Sequence, residues 1–141
     1  MTTKNLEYKI GNVGADPSKD SKFIVHLDDE KTLGIYSVPN PRGVLHKHIA
    51  KKFGLRREDV LGGGEYYLRD NGTLELSQYS TDFGSIPAEA ERMVGETLAN
   101  YFRKEGLVVN RIATDMIQNF DDERNKARWE ALGFNMREKN G

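Results

Sequence analysis

EYYLRDNGTLELSQY, residues 65–79, is the stretch that decides the fold of this 141-residue chain. Its centre, Asp70-Asn71-Gly72, predicts a hairpin turn, because Asn-Gly tolerates the positive φ values that tight turns require. The residues after the turn alternate between apolar and polar, as those of a half-buried strand do. The stretch therefore predicts a β-hairpin centred on Asn71 and Gly72.

A second pair of strands is predicted nearer the N-terminus. Lys22–Leu27 is dense in β-branched and aromatic residues, and Thr32–Val38 follows it after an acidic turn. Pro39 ends the second strand, because proline cannot donate to a strand ladder. We interpret residues 1–20 as a loosely ordered arm with a short strand around Leu6–Ile10.

Two helices are predicted from apolar spacing. Leu45, Ile49 and Phe53 recur every four residues and predict a helix that ends at Gly54, with Ala50 on its other side. A longer helix is predicted after the hairpin, with Ser85 as its N-cap, Pro87 in its first turn and Gly106 at its end. Its apolar stripe consists of Ile86, Ala90, Met93, Val94, Thr97, Leu98, Tyr101 and Phe102.

The C-terminal part predicts one more strand, Leu107–Ala113, and a charged helical extension over residues 114–141 that stops at Gly133. Ile117, Phe120, Ala127, Ala131 and Leu132 form its weaker apolar stripe. Trp129 could cover a sheet edge, mediate a dimer or fray. Together the elements predict an α+β fold in a single domain, residues 1–141, with a mostly antiparallel central sheet flanked by two main helices.

Composition excludes several classes of protein. The chain has 21 Lys and Arg against 22 Asp and Glu, a net charge of −1, which disfavours a dedicated nucleic-acid-binding protein. It has no cysteine, so disulfide scaffolds, cysteine-ligated zinc and thiolate nucleophiles are excluded. No apolar run is long enough to span a membrane, and we expect a cytoplasmic protein without membrane contact.

The histidine pair His46 and His48 is one of three features that suggest chemistry. Positions i and i+2 of a helix point roughly 200° apart, so the two could ligate one metal ion only from a strand. A histidine at the border of an apolar stripe can titrate near neutral pH, although such residues more often serve packing. Six basic residues lie between Arg42 and Arg57 with no acid among them.

The other two features are backbone motifs. The triglycine Gly62-Gly63-Gly64 either offers its amides to an anion or forms a bulge that aims the next strand. The sequence YSTDFG, residues 79–84, leads from a strand into a helix and either binds a phosphate on its amides or forms a turn capped by Ser80. Phosphate-loop, dinucleotide, nucleophile-elbow and His-Glu-x-x-His motifs are absent from the sequence.

In combination, these motifs resemble the phosphohistidine phosphatase family, also called Janus/Ocnus. A lysine at the head of a strand, His-x-x-Ile, Leu-Gly-Gly-Gly and Tyr-Ser-x-x-aromatic-Gly occur in the family's order. The resemblance extends roughly from Ile10 to Ile112 and is strongest over Leu61–Gly84. It implies a small α/β fold with a mostly antiparallel sheet, and removal of phosphate from protein histidines without a metal or cofactor.

The resemblance also implies roles for particular residues. His46 is similar to the family's catalytic histidine and Lys22 to its active-site lysine. The implied phosphate-binding group is Lys22, Ser80, Thr81, the backbone of Asp82, and Gly84; the implied supporting residues are Arg42, His48, Gly62, Gly63 and Gly64. The implied partner is a phosphorylated protein or a small phosphoramidate.

The chain departs from the family at two positions. Glu65 stands where the family has an arginine, and Asp82 stands where it has a small apolar residue. Since a carboxylate opposes phosphate, the enzyme hypothesis requires both to point away or to pair with Arg42, Arg56 or Arg57. The alternatives are a binding module of the same fold that recognises a phosphorylated or acidic partner, and weak nucleic-acid contact through the patch from Arg42 to Arg57.

Overall fold

The computed structural model describes residues 8–12, 21–39, 45–77, 80, 82–84, 86–114 and 124–134. In chain order the elements are β1 (Tyr8–Asn12), β2 (Ser21–Leu27), β3 (Leu33–Pro39), α1 (His46–Lys52), a 3-10 turn (Arg57–Asp59), β4 (Val60–Leu68), β5 (Thr73–Ser77), α2 (Ala88–Lys104), β6 (Arg111–Thr114) and α3 (Lys126–Ala131). None of the helices in these ranges is both long and apolar enough to cross a membrane.

The six strands form one sheet in the order β1-β3-β2-β4-β5-β6. The three inner pairings are antiparallel, whereas β1 pairs with β3, and β6 with β5, in parallel. The mostly antiparallel α+β fold is therefore confirmed, with α1 and α2 as the main helices and α3 following near the C-terminus. Both predicted hairpins, β2–β3 and β4–β5, are present.

Helix α2 packs against one face of the sheet and forms the larger apolar core with it. Ile86, Ala90, Val94, Leu98 and Phe102 from the predicted stripe are all buried. The opposite face holds a smaller apolar cluster made of Ile24, Val38, Ile49, Ala50, Val60 and Phe83. Helix α1 supplies Ile49 and Ala50 to that cluster, so the two main helices lie on different faces.

The tail contributes to the larger core. Trp129 is fully buried and its indole Nε1 donates to the carbonyl oxygen of Leu61 at 3.0 Å. Its ring meets Phe134 edge to face at 5.3 Å between centroids. Gly133, with φ of 93°, follows α3 and confirms the predicted stop. Of the three roles considered for Trp129, the structure shows the side chain packed against the sheet.

Several sequence predictions need correction. Leu45 is 42 % exposed and precedes α1, whereas Ala50 is fully buried, because the short helix turns His46, Ile49 and Ala50 toward the sheet. The N-cap of helix α2 is Pro87, which was predicted to lie in the first turn. The last strand, β6, is Arg111–Thr114, so it begins four residues later than the predicted strand Leu107–Ala113.

Some predictions fall on residues that the structure does not describe. Arg42, Thr81 and Ser85 lie outside the described residues, and so do Ile117 and Phe120. The predicted N-terminal arm is described only over residues 8–12, and its short strand is β1.

Candidate functional site

His46 is the first residue of α1, and its ring lies against the glycines of β4. The imidazole is 7 % exposed, and its Nε2 lies 2.8 Å from the carbonyl oxygen of Gly64. Because a carbonyl oxygen only accepts, Nε2 must carry the proton and donate. In neutral His46 the lone pair is therefore on Nδ1, which has no hydrogen-bond partner among the described residues.

Close approach of His46 depends on Gly63. A Cβ atom at this position would lie 2.6 Å from the carbonyl oxygen of Phe23 and 3.0 Å from Cδ2 of His46. It would also lie 3.4 Å from Cβ of Ser80. His46 and Ser80, 34 positions apart in the sequence, therefore meet over a backbone that only glycine can form without displacement.

The triglycine is part of a strand. Gly62, Gly63 and Gly64 pair with residues of β2, and a register shift leaves Leu61 as an extra residue between two pairs. Of the two interpretations, the structure favours the bulge over an anion-binding loop. The contact of this segment with His46 is the carbonyl of Gly64, which sequence reasoning did not anticipate.

Lys22 and Glu65 are direct partners across β2 and β4. Side chains alternate along a strand, so Lys22 shares the sheet face of Ile24, which packs with Ile49 of α1. Both charged groups lie near enough to act on His46 electrostatically, Lys22 opposing and Glu65 favouring its protonation. The structure therefore brings the predicted lysine and histidine together.

The charge state of His46 follows from its burial. Removal from water is the largest influence and lowers the pKa of His46 below 6.5. The bond to Gly64 raises the pKa, Lys22 lowers it, and Glu65 and Asp82 raise it by smaller amounts. Because the net shift is downward, the imidazole is neutral at pH 7.

The residues from Ser80 to Gly84 form a capped turn. Ser80 Oγ accepts the N–H of Phe83 at 3.1 Å, and the Ser80 carbonyl accepts the N–H of Gly84 at 2.7 Å. Gly84 has φ of 87°, the conformation that glycine adopts without strain. Two amides of the proposed phosphate loop therefore have partners inside the turn, while the Ser80 hydroxyl keeps its proton to donate.

Asp82 has a role that sequence reasoning missed. The N-cap residue of α1 is Leu45, whose side chain cannot accept a hydrogen bond, and Asp82 Oδ2 accepts the N–H of Lys47 at 3.1 Å instead. Arg56, one of the three arginines considered as a partner for this carboxylate, lies beside Glu58 and Asp59 instead. A helix N-terminus lacking its own polar cap is the sequence signal that could have suggested this contact.

His48 lies on the other side of α1. It is exposed, and its Nδ1 accepts the N–H of Leu45 at 3.1 Å. The predicted divergence of the two histidines along the helix is confirmed, and the structure does not bring His48 to the glycines. Within the described ranges, no cluster of three or more His, Asp or Glu side chains is arranged to hold a metal ion.

Comparison with known proteins leaves the site to be interpreted from its own geometry. No family model matches the chain, and no curated protein matches it.

Proposed function

We propose that this protein is a metal-independent hydrolase of phosphoramidate P–N bonds, with phosphohistidine as its expected substrate class and His46 as its catalytic residue. The proposal is carried by the placement of His46 in the structure. His46 is held by Nε2 to the Gly64 carbonyl, its pKa is lowered, and Lys22 lies close enough to act on it. An unprotonated Nδ1 beside a cation suits attack on a phosphoryl group.

The reaction breaks one bond and forms one in each step. Either Nδ1 attacks phosphorus and the P–N bond to the leaving amine breaks, with water later releasing phosphate from His46, or Nδ1 takes a proton from a water that attacks directly. The leaving amine takes its proton from solvent water in the first route and from the newly protonated Nδ1 in the second. Both need the neutral imidazole that burial supplies, and neither requires a further co-reactant.

Stabilisation of the phosphoryl oxygens falls to Lys22 and to the hydroxyl proton of Ser80. Phosphoryl transfer depends mainly on positioning and charge stabilisation, and the lysine ammonium supplies a positive charge on the sheet face that His46 occupies. The two carboxylates are engaged nearby: Glu65 is opposite Lys22 in the sheet, and Asp82 bonds the N–H of Lys47. These placements support the proposal, which requires that neither carboxylate faces the phosphate.

The test is hydrolysis of phosphoramidate and of phosphohistidine, followed by phosphate release in the presence of a chelator. We expect turnover by the wild-type protein and a loss of kcat/KM of about 10²–10⁴-fold in His46→Ala. His26→Ala removes a histidine that contacts Tyr36 instead and serves as the matched control, with kcat/KM close to that of the wild type. Unchanged hydrolysis in His46→Ala would remove His46 from the mechanism.

A second function, phosphate or acid recognition without catalysis, is favoured by the turn at Ser80. Its hydroxyl and carbonyl bond the amides of Phe83 and Gly84, and the Asp82 carboxylate lies at the start of α1, so the turn itself is a poor anion site. Recognition of an anion would then fall to cations of the patch from Arg42 to Arg57, such as Lys47, Lys51 and Arg57. This function predicts binding of inorganic phosphate without turnover of either substrate. Turnover in the wild type that is lost in His46→Ala would exclude it.

A further inference from the structure

A groove on the outer side of α1 has no role in the proposed chemistry. It has a volume of about 490 Å³ and is lined by Lys47, His48, Lys51, Leu55 and Arg57, which we call the basic groove. This volume falls within the range of ligand sites. Helix α1 presents Lys47, His48 and Lys51 away from the sheet, since His46, Ile49 and Ala50 occupy its buried side. Leu55 and Arg57 come from the segment that follows the helix.

The cations of the basic groove are not held in close ion pairs. In the described part of the chain, Lys47, Lys51 and Arg57 form no ion pair. The acids nearby also contact other groups: the Asp82 carboxylate accepts the backbone N–H of Lys47, Glu58 lies beside Arg56 and Arg57, and Asp59 lies beside Arg56 and Arg128. Lys47 and Lys51 are also four positions apart on a helix, where like charges repel. The groove therefore concentrates positive charge that a ligand could neutralise.

Apolar surface accompanies this charge. Leu55 is half-buried in the lining. Leu45 is 42 % exposed and lies beside His48, because the Leu45 N–H donates to Nδ1 of His48. A ligand that satisfies both features carries several negative charges around an apolar group. Among the residues that the structure describes, the lining contains no Phe, Tyr or Trp, the side chains on which unpaired bases stack, so a protein segment fits better than a nucleic acid.

We propose that the basic groove docks an acidic protein segment in which Asp or Glu side chains flank one apolar side chain. Carboxylates would meet Lys47, Lys51 and Arg57, and the apolar side chain would cover Leu55. Lys47 directly follows His46, so a partner bound here lies beside the His46 site on the same short helix. Docking depends on the outer side of α1 and the segment that follows it, and it does not require the proposed hydrolysis.

The probe is a short synthetic peptide that alternates glutamate and leucine, titrated into the full chain and followed by calorimetry. We expect saturable binding that weakens as salt rises, because screening reduces attraction between exposed charges. Lys51→Glu combined with Arg57→Glu should weaken binding at least about tenfold. Arg92→Glu combined with Lys104→Glu, the same charge change at two exposed positions of α2, should leave it within about twofold. Peptides with glutamine for glutamate, or serine for leucine, should bind more weakly.

Three results would overturn the proposal: no binding of the glutamate–leucine peptide, equal binding by the double variant, or tighter groove-dependent binding of a single-stranded oligonucleotide. Folding of each variant is checked by amide NMR spectra. The His46→Ala variant separates this proposal from the hydrolase proposal, since it should lose hydrolysis and bind the peptide as the wild type does.

Discussion

At the scale of single residues, the site depends on a histidine whose proton is placed by its neighbours. The Gly64 carbonyl holds the proton on Nε2, and burial lowers the pKa of the ring. Lys22 and Glu65 act on the same imidazole with opposite sign. Lys22 and Glu65 are partners across β2 and β4. Substitutions that remove either charge but keep the side-chain length should therefore change the pKa of His46.

Opposite pKa shifts are expected from the two charged neighbours. Lys22→Met removes a cation that opposes protonation and should raise the pKa of His46. Glu65→Gln removes an anion that favours protonation and should lower it further below 6.5. NMR titration of the His46 ring measures both. Shifts of the same sign in the two variants would contradict the placement of these charges around the ring.

Burial of neutral His46 also makes stability depend on pH. The unfolded chain binds the histidine proton more tightly than the folded chain, so the free energy of unfolding falls as pH drops below 6.5 and levels off below the lowered folded-state pKa. His46→Gln lacks this proton uptake. As pH falls, the free energy of unfolding of the wild type should therefore decrease relative to that of His46→Gln. Urea unfolding at several pH values measures this difference. A pH-independent difference would contradict the lowered pKa.

At the scale of elements, β4 and α1 build the site together. The bulge at Leu61 shifts the register of β4 against β2, and Gly63 lets the first turn of α1 approach the strand. Asp82 supplies the hydrogen-bond acceptor that the N-terminus of α1 lacks. The position of His46 thus depends on backbone contacts from two other parts of the chain.

Gly63→Ala tests this close approach. The added methyl group would meet the Phe23 carbonyl at 2.6 Å, a backbone atom that cannot rotate away. We expect a loss of about 2–3 kcal/mol in the free energy of unfolding and altered NMR shifts for His46. Gly106→Ala is the matched control: φ is 87° but nothing lies within 4 Å, so the loss should be about 1 kcal/mol. Equal losses would show that the approach is not tight.

Local signals in the sequence were enough to locate most of these elements. The Asp70-Asn71-Gly72 turn, the stop at Gly106 and the stripe of α2 were predicted because turn chemistry and periodicity are encoded locally. The contacts that assemble the site were harder to predict. Asp82 accepts the N–H of Lys47, and His46 donates to Gly64. Both bonds join residues far apart in the sequence, and no periodic pattern marks such pairs.

At the scale of the whole molecule, the C-terminal segment belongs to the core that supports the site. Trp129 is fully buried and donates to the Leu61 carbonyl at the bulge, and Asn125 Nδ2 donates to the carbonyl of Phe83 at 3.3 Å. Sequence periodicity left the role of Trp129 open because its stripe is short. The bonds from Trp129 and Asn125 together connect α3 to both segments that meet His46.

Trp129 therefore provides a measurement of cooperativity. It is the chain's single tryptophan, so its fluorescence reports on docking of α3 alone, whereas far-UV circular dichroism reports on all helices and strands. We expect the two urea transitions to coincide, as they do when a domain unfolds as one unit. A fluorescence transition at lower urea would show that the tail undocks before the sheet unfolds.

The most direct test of the central claim is a titration with inorganic phosphate, followed through the side-chain nitrogen signals of His46 and Lys22. The account predicts saturable shifts of His46 Nδ1 and Lys22 Nζ, with Nε2 remaining protonated against Gly64. Phosphate-induced shifts restricted to residues 47–57, with His46 and Lys22 unchanged, would contradict it.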